Sequence, residues 1–233
     1  MILILSGKYC SEELSNEIGE FPPSLLPLNN FKLFEYQHKL LQPLNDEIQI
    51  TLPNDHKLDK FDKQKLDELN IKIIKMDPDL SISQAILEFL NITKFQGNLK
   101  ILYGDTLFDN IQRLTGSFFS VGFSQEEYHW GFIEEYLSGK SAILTGFFQF
   151  EDVTKLKICL EKYPDDIVAA LKEYKQNVST SLEFIPRWYD LGHRNAYFKA
   201  KSNYLLTRNF NNLVTSGEYL IKSSANTEKI KSE

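Results

Sequence analysis

The residues best equipped for chemistry stand at the end of one short apolar run, Ile101-Leu102-Tyr103-Gly104-Asp105-Thr106-Leu107-Phe108. A buried strand that terminates in Gly-Asp delivers a carboxylate to its carboxyl edge, where open α/β sheets place their ligands. Gly104 permits close approach of the backbone to a ligand, and Asp105 offers hard oxygen atoms of the kind Mg²⁺ prefers. The same aspartate would serve equally well as a cap for the turn or helix that follows. Two readings stand side by side, a metal ligand and a turn cap, and the surrounding elements must decide between them.

Composition narrows the chemistry. The 233 residues carry 26 Lys and Arg against 32 Asp and Glu, a net charge of -6, with the cations scattered along the chain. Neutralising a nucleic-acid backbone takes a basic surface, so no nucleic-acid partner is expected. A free nucleotide remains compatible, because a metal ion can supply the positive charge. At 42% hydrophobic and 25% charged, the chain has the composition of a globular protein, long enough for one large domain or a domain with an appendage. Cys10 and Cys159 are too few for a disulfide framework and read as inert thiols in a reducing compartment. The opening apolar run ends at once in Ser6-Gly7-Lys8 with no basic leader, and no run reaches transmembrane length. A cytoplasmic protein without a membrane span is the expectation.

The elements that must hold Asp105 follow from periodicity. Residues 2–5 form a continuous apolar run bounded by Ser-Gly, the pattern of a central parallel strand buried on both faces. Residues 6–20 are polar, and the three prolines of residues 21–28 enforce an extended path. Leu33, Phe34, Tyr36, Leu40 and Leu41 recur at helical spacing, and residues 48–52 alternate like a strand. A helix over 58–69 and a strand over 71–76 follow. Ser81 with Gln84 makes a capping-box pattern ahead of the stripe Ile82, Ala85, Ile86, Phe89 and Leu90. This alternation predicts a three-layer α/β/α fold with a mostly parallel mixed sheet. In the second half, residues 117–136 read as an insertion or a lid over the site, and residues 142–150 as a strand. Glu151-Asp152 starts a helix. Pro164 suits the first turn of another helix, which carries Ile167, Val168, Leu171 and Tyr174.

Six stretches, in order, resemble the sugar-nucleotidyltransferase family. Leu3-Ile4-Leu5-Ser6-Gly7 is similar to the strand entering the signature loop, and Pro22-Pro23-Ser24-Leu25-Leu26-Pro27 to the Pro-Lys-x-Leu-Leu-Pro segment. Residues 78–86 resemble the base-reading Gly-Leu-Ala-Gln-Ala turn, and Leu102-Tyr103-Gly104-Asp105 the metal-bearing Gly-Asp. Thr145-Gly146-Phe147-Phe148-Gln149-Phe150 resembles the strand that closes the substrate pocket. Trp188-Tyr189-Asp190-Leu191-Gly192-His193 is similar to the Trp-x-Asp-x-Gly motif with the second metal-binding acid. The resemblance spans about residues 1–200 and implies a nucleotide-diphospho-sugar transferase-like fold. It also implies an Mg²⁺-dependent enzyme that joins a nucleoside triphosphate to a phosphorylated sugar or small phospho-alcohol, with release of pyrophosphate, in capsule or surface polysaccharide synthesis.

The chain departs from the family where the triphosphate is held. The Gly-rich loop with its arginine is replaced by Gly7, Lys8 and the acidic Glu12, Glu13 and Glu17, and the family lysine falls at Pro23. Either Lys8, Arg194 or Lys199 substitutes in space, or the fold has lost its chemistry. On the resemblance, Asp105 and Asp190 share one Mg²⁺, which usually binds through a pair of carboxylates and substrate phosphates. Lys8 joins them as a catalytic cation. Ser6, Gly7, Lys8, Gln84 and Gly104 are the nucleotide-binding candidates, and Gly146, His193 and Arg194 the substrate-binding ones. Gln84 has a complete alternative as a helix cap, and Lys8 as an ordinary exposed lysine. His193 has its own alternative as a hydrogen-bonded structural residue.

Two other functions fit the same residues, a metal-dependent glycosyltransferase and a non-catalytic nucleotide-binding domain. Residues 1–207 are expected to form the nucleotidyltransferase-like domain. Residues 208–233, with a strand ending at Lys222 and Glu228 or Glu233 beyond, are expected to open a following kinase-like domain, the alternative being a terminal strand and frayed tail. A downstream domain or a second copy of the chain are the macromolecular partners so implied.

Overall fold

The protein is described here by a computed structural model covering residues 1–109, 111, 115–123, 131–137 and 140–204. The expected C-terminal segment 208–233 lies outside the described residues. At the centre is β1 (Ile2–Leu5), paired in parallel with β4 (Ile48–Pro53) on one side and β6 (Leu99–Tyr103) on the other. Between β1 and β4 come α1 (Glu12–Ile18), the hairpin of β2 (Pro27–Leu28) with β3 (Phe31–Lys32), and α2 (Leu33–Leu41). Then α3 (Lys60–Glu68) leads to β5 (Lys72–Met76), which extends the parallel set, and α4 (Ile82–Thr93) leads to β6. Side chains of β1 alternate between faces, as a strand requires. Ile2 and Ile4 pack toward Phe34, Leu41 and Leu66 of α2 and α3, whereas Leu3 joins Ile86, Phe89 and Leu90 of α4. Helices therefore cover both faces, and the α/β/α class expected from the alternation is observed.

The second half completes the sheet. After β7 (Thr106–Phe108) come β8 (Ser117–Gly122), β9 (Gly131–Leu137) and β10 (Lys140–Phe150). The chain then runs through α5 (Val153–Lys162), α6 (Ile167–Asn177), β11 (Thr180–Phe184), β12 (Trp188–Asp190) and α7 (Arg194–Tyr204). Sheet order is β11-β8-β10-β6-β1-β4-β5, with β9 beside β10. Strand β10 runs antiparallel to its neighbours β6, β8 and β9, while the edge strand β11 pairs β8 in parallel. Phe119, Phe148 and Phe150 of this half join Leu156, Leu171 and Tyr174 of α5 and α6 in the core that α4 covers.

Four local expectations are corrected. The polar stretch 6–20 contains α1, whose single buried residue, Leu14, leaves no apolar stripe to read. The proline segment is not extended throughout, since Pro23–Leu25 close a 3₁₀ turn with Pro23 at its start, where a missing N–H costs nothing. Residues 117–122, read as the start of an insertion or a lid, are β8, buried between β10 and β11. Pro164 precedes α6 rather than opening it; Asp166 is the cap, accepting from the Ala169 N–H at 2.9 Å.

Candidate active site

The site is assembled by a short ribbon that stands off the main sheet. β7 and β12 pair antiparallel, with Asp190 opposite Thr106, Tyr189 opposite Leu107 and Trp188 opposite Phe108. One further bond, from the Leu191 N–H to the Asp105 carbonyl at 2.8 Å, carries the pairing past the ribbon's end. Residues 85 positions apart in sequence thus stand side by side. Gly192 is part of the fit, because a Cβ there would lie 2.5 Å from Asp105 Oδ2. The Gly192 N–H donates to Asp190 Oδ1 at 2.8 Å, and the Thr106 hydroxyl donates to Asp105 Oδ1 at 3.2 Å.

The electrostatics are opposed rather than balanced. Burial first, and the charge of Asp190 second, push the Asp105 carboxyl up to about 7, while the Thr106 hydrogen bond and His193 pull it down. Two acidic groups held together under burial form a pair whose repulsion a hard divalent cation would relieve. Among the described residues no cluster of three or more His, Cys, Asp or Glu side chains could hold a metal. A pair of carboxylates with solvent or phosphate oxygens completing the shell is what Mg²⁺ takes and what Zn²⁺ does not, so the donor set fits Mg²⁺. Cys10 lies near this pair, but burial and the charge of Asp105 push its thiol up to about 12, as expected of an inert thiol.

Beside Asp105 a cavity of about 210 Å³ opens at the carboxyl ends of β1 and β6, walled by Gly7, Lys8, Tyr9, Leu80, Tyr103 and Asp105 among others. Tyr9 is tethered by its hydroxyl to Asp55 at 2.9 Å. Of the sequence-derived candidates, the structure brings Gly7, Lys8, Gly104 and Asp105 to this cavity, with Asp190 and His193 next to Asp105. Lys8 is exposed and is the lysine among the described lining residues. His193 is exposed at the start of α7, where its carbonyl accepts the Tyr197 N–H at 2.7 Å.

Other candidates are placed in the scaffold. Ser6 is buried, its N–H donating to Thr51 Oγ1 at 2.8 Å and its hydroxyl accepting from the Ser24 N–H at 2.9 Å. Gly104 is a glycine because the turn crosses β1: a Cβ would lie 2.5 Å from the Leu5 carbonyl oxygen. Gly146 occupies a bulge of β10 at φ +88, and a Cβ there would press 2.8 Å from the Tyr103 ring. Arg194 is held by Glu17 at 2.7 Å, tying α7 to α1. Gln84 completes the cap of α4, Oε1 accepting from the Ser81 N–H at 2.8 Å and Nε2 donating to Asp165 at 3.2 Å. Sequence reading passed over Ser24, Gln37 and Thr51, fully buried polar side chains beneath the Asp105 turn. The available signal was Gln37, a polar residue four positions from both Leu33 and Leu41 on an otherwise apolar helix stripe.

No protein-family model matches the chain, and no curated protein matches it by sequence. Solved structures do resemble it. CTP:phosphocholine cytidylyltransferase from Streptococcus pneumoniae superimposes with a TM-score of 0.69 at 16% identity, over 87% of this chain and 98% of that one. The nucleoside-diphosphate-sugar pyrophosphorylase from Vibrio cholerae gives 0.64 at 15% identity, covering 85% and 98%. A UDP-glucose pyrophosphorylase complexed with UDP-glucose gives 0.62 at 12% identity, covering 89% and 98%. At these identities the likeness establishes the fold, which is nucleotide-diphospho-sugar transferase-like.

Proposed function

We propose that this chain is an Mg²⁺-dependent nucleotidyltransferase. It joins a nucleoside triphosphate to a phosphorylated sugar or small phospho-alcohol in the cytoplasm, supplying precursors for capsule or surface polysaccharide. The observation that carries the proposal is the Asp105 and Asp190 pair, presented by the β7 and β12 ribbon beside a cavity at the sheet's carboxyl edge. In the reaction, a phosphate oxygen of the acceptor attacks the α-phosphorus. The α–β bridging P–O bond breaks and pyrophosphate leaves with the bonding electrons. Both partners are anionic, so an Mg²⁺ ion, which Asp105 and Asp190 would hold and orient, would supply charge neutralisation. Lys8 at the cavity rim attracts the phosphates, and His193 beside the pair orients the acceptor. Gly7 keeps the rim narrow, since a Cβ there would already touch Met76 at 3.2 Å.

A screen of triphosphates against phosphorylated sugars and phospho-alcohols, read by pyrophosphate release with Mg²⁺ and with chelator, tests the proposal. Release from at least one pair that stops on chelation supports it; silence from every pair removes it. A second reading, nucleotide binding without turnover, is favoured by the placement of Arg194 in an ion pair with Glu17 instead of at the cavity. Calorimetric binding of a nucleotide by a protein silent in the screen identifies that case.

A further inference from the structure

Beneath the candidate site lies a side chain whose bonding is one-sided. Gln37 faces the sheet from α2 and is fully buried. Its Nε2 donates toward three carbonyls of a single turn, those of Tyr103 at 3.2 Å, Gly104 at 2.9 Å and Thr106 at 3.0 Å. These carbonyls flank Asp105 on both sides. Its Oε1 is buried with no hydrogen-bond partner. Turning the amide over would set Oε1 against three carbonyl oxygens, so the orientation is fixed by repulsion as well as attraction. A buried acceptor left unmatched costs about 1–3 kcal/mol, a cost that a leucine on this stripe would avoid. The amide is explained by what its nitrogen gathers. Ser24 adds a second donor to the Gly104 carbonyl at 3.1 Å and is itself held by Ser6.

We propose that Gln37 is a positioning residue for the Asp105 carboxylate. By drawing the carbonyls of Tyr103, Gly104 and Thr106 to one nitrogen, it sets the turn so that the carboxylate faces Asp190, and so prepares the pair for a divalent cation. The purpose of the pair rests on the nucleotidyltransferase reading; the hold on the turn is tested apart from it. The reporter is amide exchange at Leu191, whose N–H donates to the Asp105 carbonyl.

In Gln37→Met, which keeps length and loses both donors, Leu191 protection falls about tenfold, as for one lost hydrogen bond. The amides of the β1 and β4 ladder keep theirs. Mn²⁺ affinity, read by the electron paramagnetic resonance of the free ion, falls about tenfold as well, the usual effect of losing a group that orients a ligand. Unchanged Leu191 protection in a folded variant overturns the proposal whatever the enzyme's activity. Reduced protection with unchanged Mn²⁺ affinity overturns its second half, the preparation for a cation. Wild-type protein that neither binds Mn²⁺ nor releases pyrophosphate overturns the nucleotidyltransferase reading, and Leu191 exchange still decides the hold on the turn. Should Gln37→Met lose cooperative melting, Gln37→Glu, with the same shape and at most one proton to donate, carries the same expectation and the same refutation.

Discussion

Two polar clusters sit at the carboxyl edge of the sheet, and they differ in how far they satisfy themselves. At the start of α4, Ser81 and Gln84 exchange hydrogen bonds in a closed capping box, the Ser81 hydroxyl donates to the Pro164 carbonyl, and the remaining Gln84 donor reaches Asp165. On the β7 and β12 ribbon, Asp105 and Asp190 oppose each other's charge, and burial makes the opposition worse. The first cluster is finished without a ligand. The second is held in a costly state by its neighbours, the condition in which the proposed cation site would be kept ready. The comparison yields a rule for assigning roles: a closed set of partners marks scaffold, and an unrelieved charge held by glycine-tight packing marks a candidate site.

The largest effect that would break this comparison comes from the ribbon. Asp105→Ala and Asp190→Ala each lower kcat/KM by about a thousandfold, on the order of 4 kcal/mol of transition-state stabilisation. Circular dichroism stays as in the wild type and melting stays cooperative. Activity retained in either variant would reduce the pair to a turn cap. Gly192→Ala comes next, because its Cβ would sit 2.5 Å from Asp105 Oδ2 and must displace the carboxylate or the backbone. The expected loss is about tenfold to a hundredfold in activity, with the apparent Mg²⁺ requirement rising, the range found when the groups that orient metal ligands are disturbed.

How much of this was legible in the sequence divides along the same line. The parallel half could be read because its strands are continuous apolar runs between turn residues, and the Gly-Asp strand end announced Asp105 directly. Asp190 was reached through the resemblance of 188–193, since a half-buried three-residue strand has no period of its own. In the second half, β8 reads as an insertion or a lid because Phe118, Phe119, Ser120 and Val121 are buried on both faces, so the alternation that marks a half-exposed strand is absent. The positive φ of Gly146 belongs to a β10 bulge that only the neighbouring strands define. Ser24 and Thr51 were illegible because each bonds to backbone brought near by the fold, whereas Gln37 left a trace as a polar residue on an apolar helix stripe.

A charge test sharpens the comparison in the metal-free protein. Asp105 has its folded pKa raised from 3.8 to about 7, so folding disfavours the ionised form. Below the unfolded value both states are protonated and there is no penalty. As pH rises from about 4 to about 7 the penalty accumulates, and above that it is fully present. Asp105→Asn removes it, so the variant melts above the wild type at pH 8, where the penalty is fully present. The gain shrinks at pH 5. Saturating Mg²⁺ reverses the order by stabilising only the wild type. An unchanged difference at the two pH values would mean that Asp105 is not electrostatically strained.

The smallest effect belongs to Gln84, where the closed cluster makes its own prediction. Its Oε1 satisfies the Ser81 N–H, one of the groups a helix start leaves without an internal partner, and its Nε2 ties α4 to the segment before α6. Gln84→Ala removes both bonds but leaves Ser81 Oγ accepting the residue 84 backbone N–H, at 3.1 Å in the wild type. Half of the box survives. The loss is therefore about 0.5–1 kcal/mol, the lower part of the range for removing a cap. The melting temperature reads it. If Gln84 also read the base, the same variant would redistribute KM among the four triphosphates, since an amide paired to a base edge acts in ground-state recognition. A lowered melting temperature with unaltered ranking of triphosphates assigns Gln84 to the scaffold; an altered ranking would place a ligand contact inside a cluster that the geometry closes, and would break the rule drawn from the comparison.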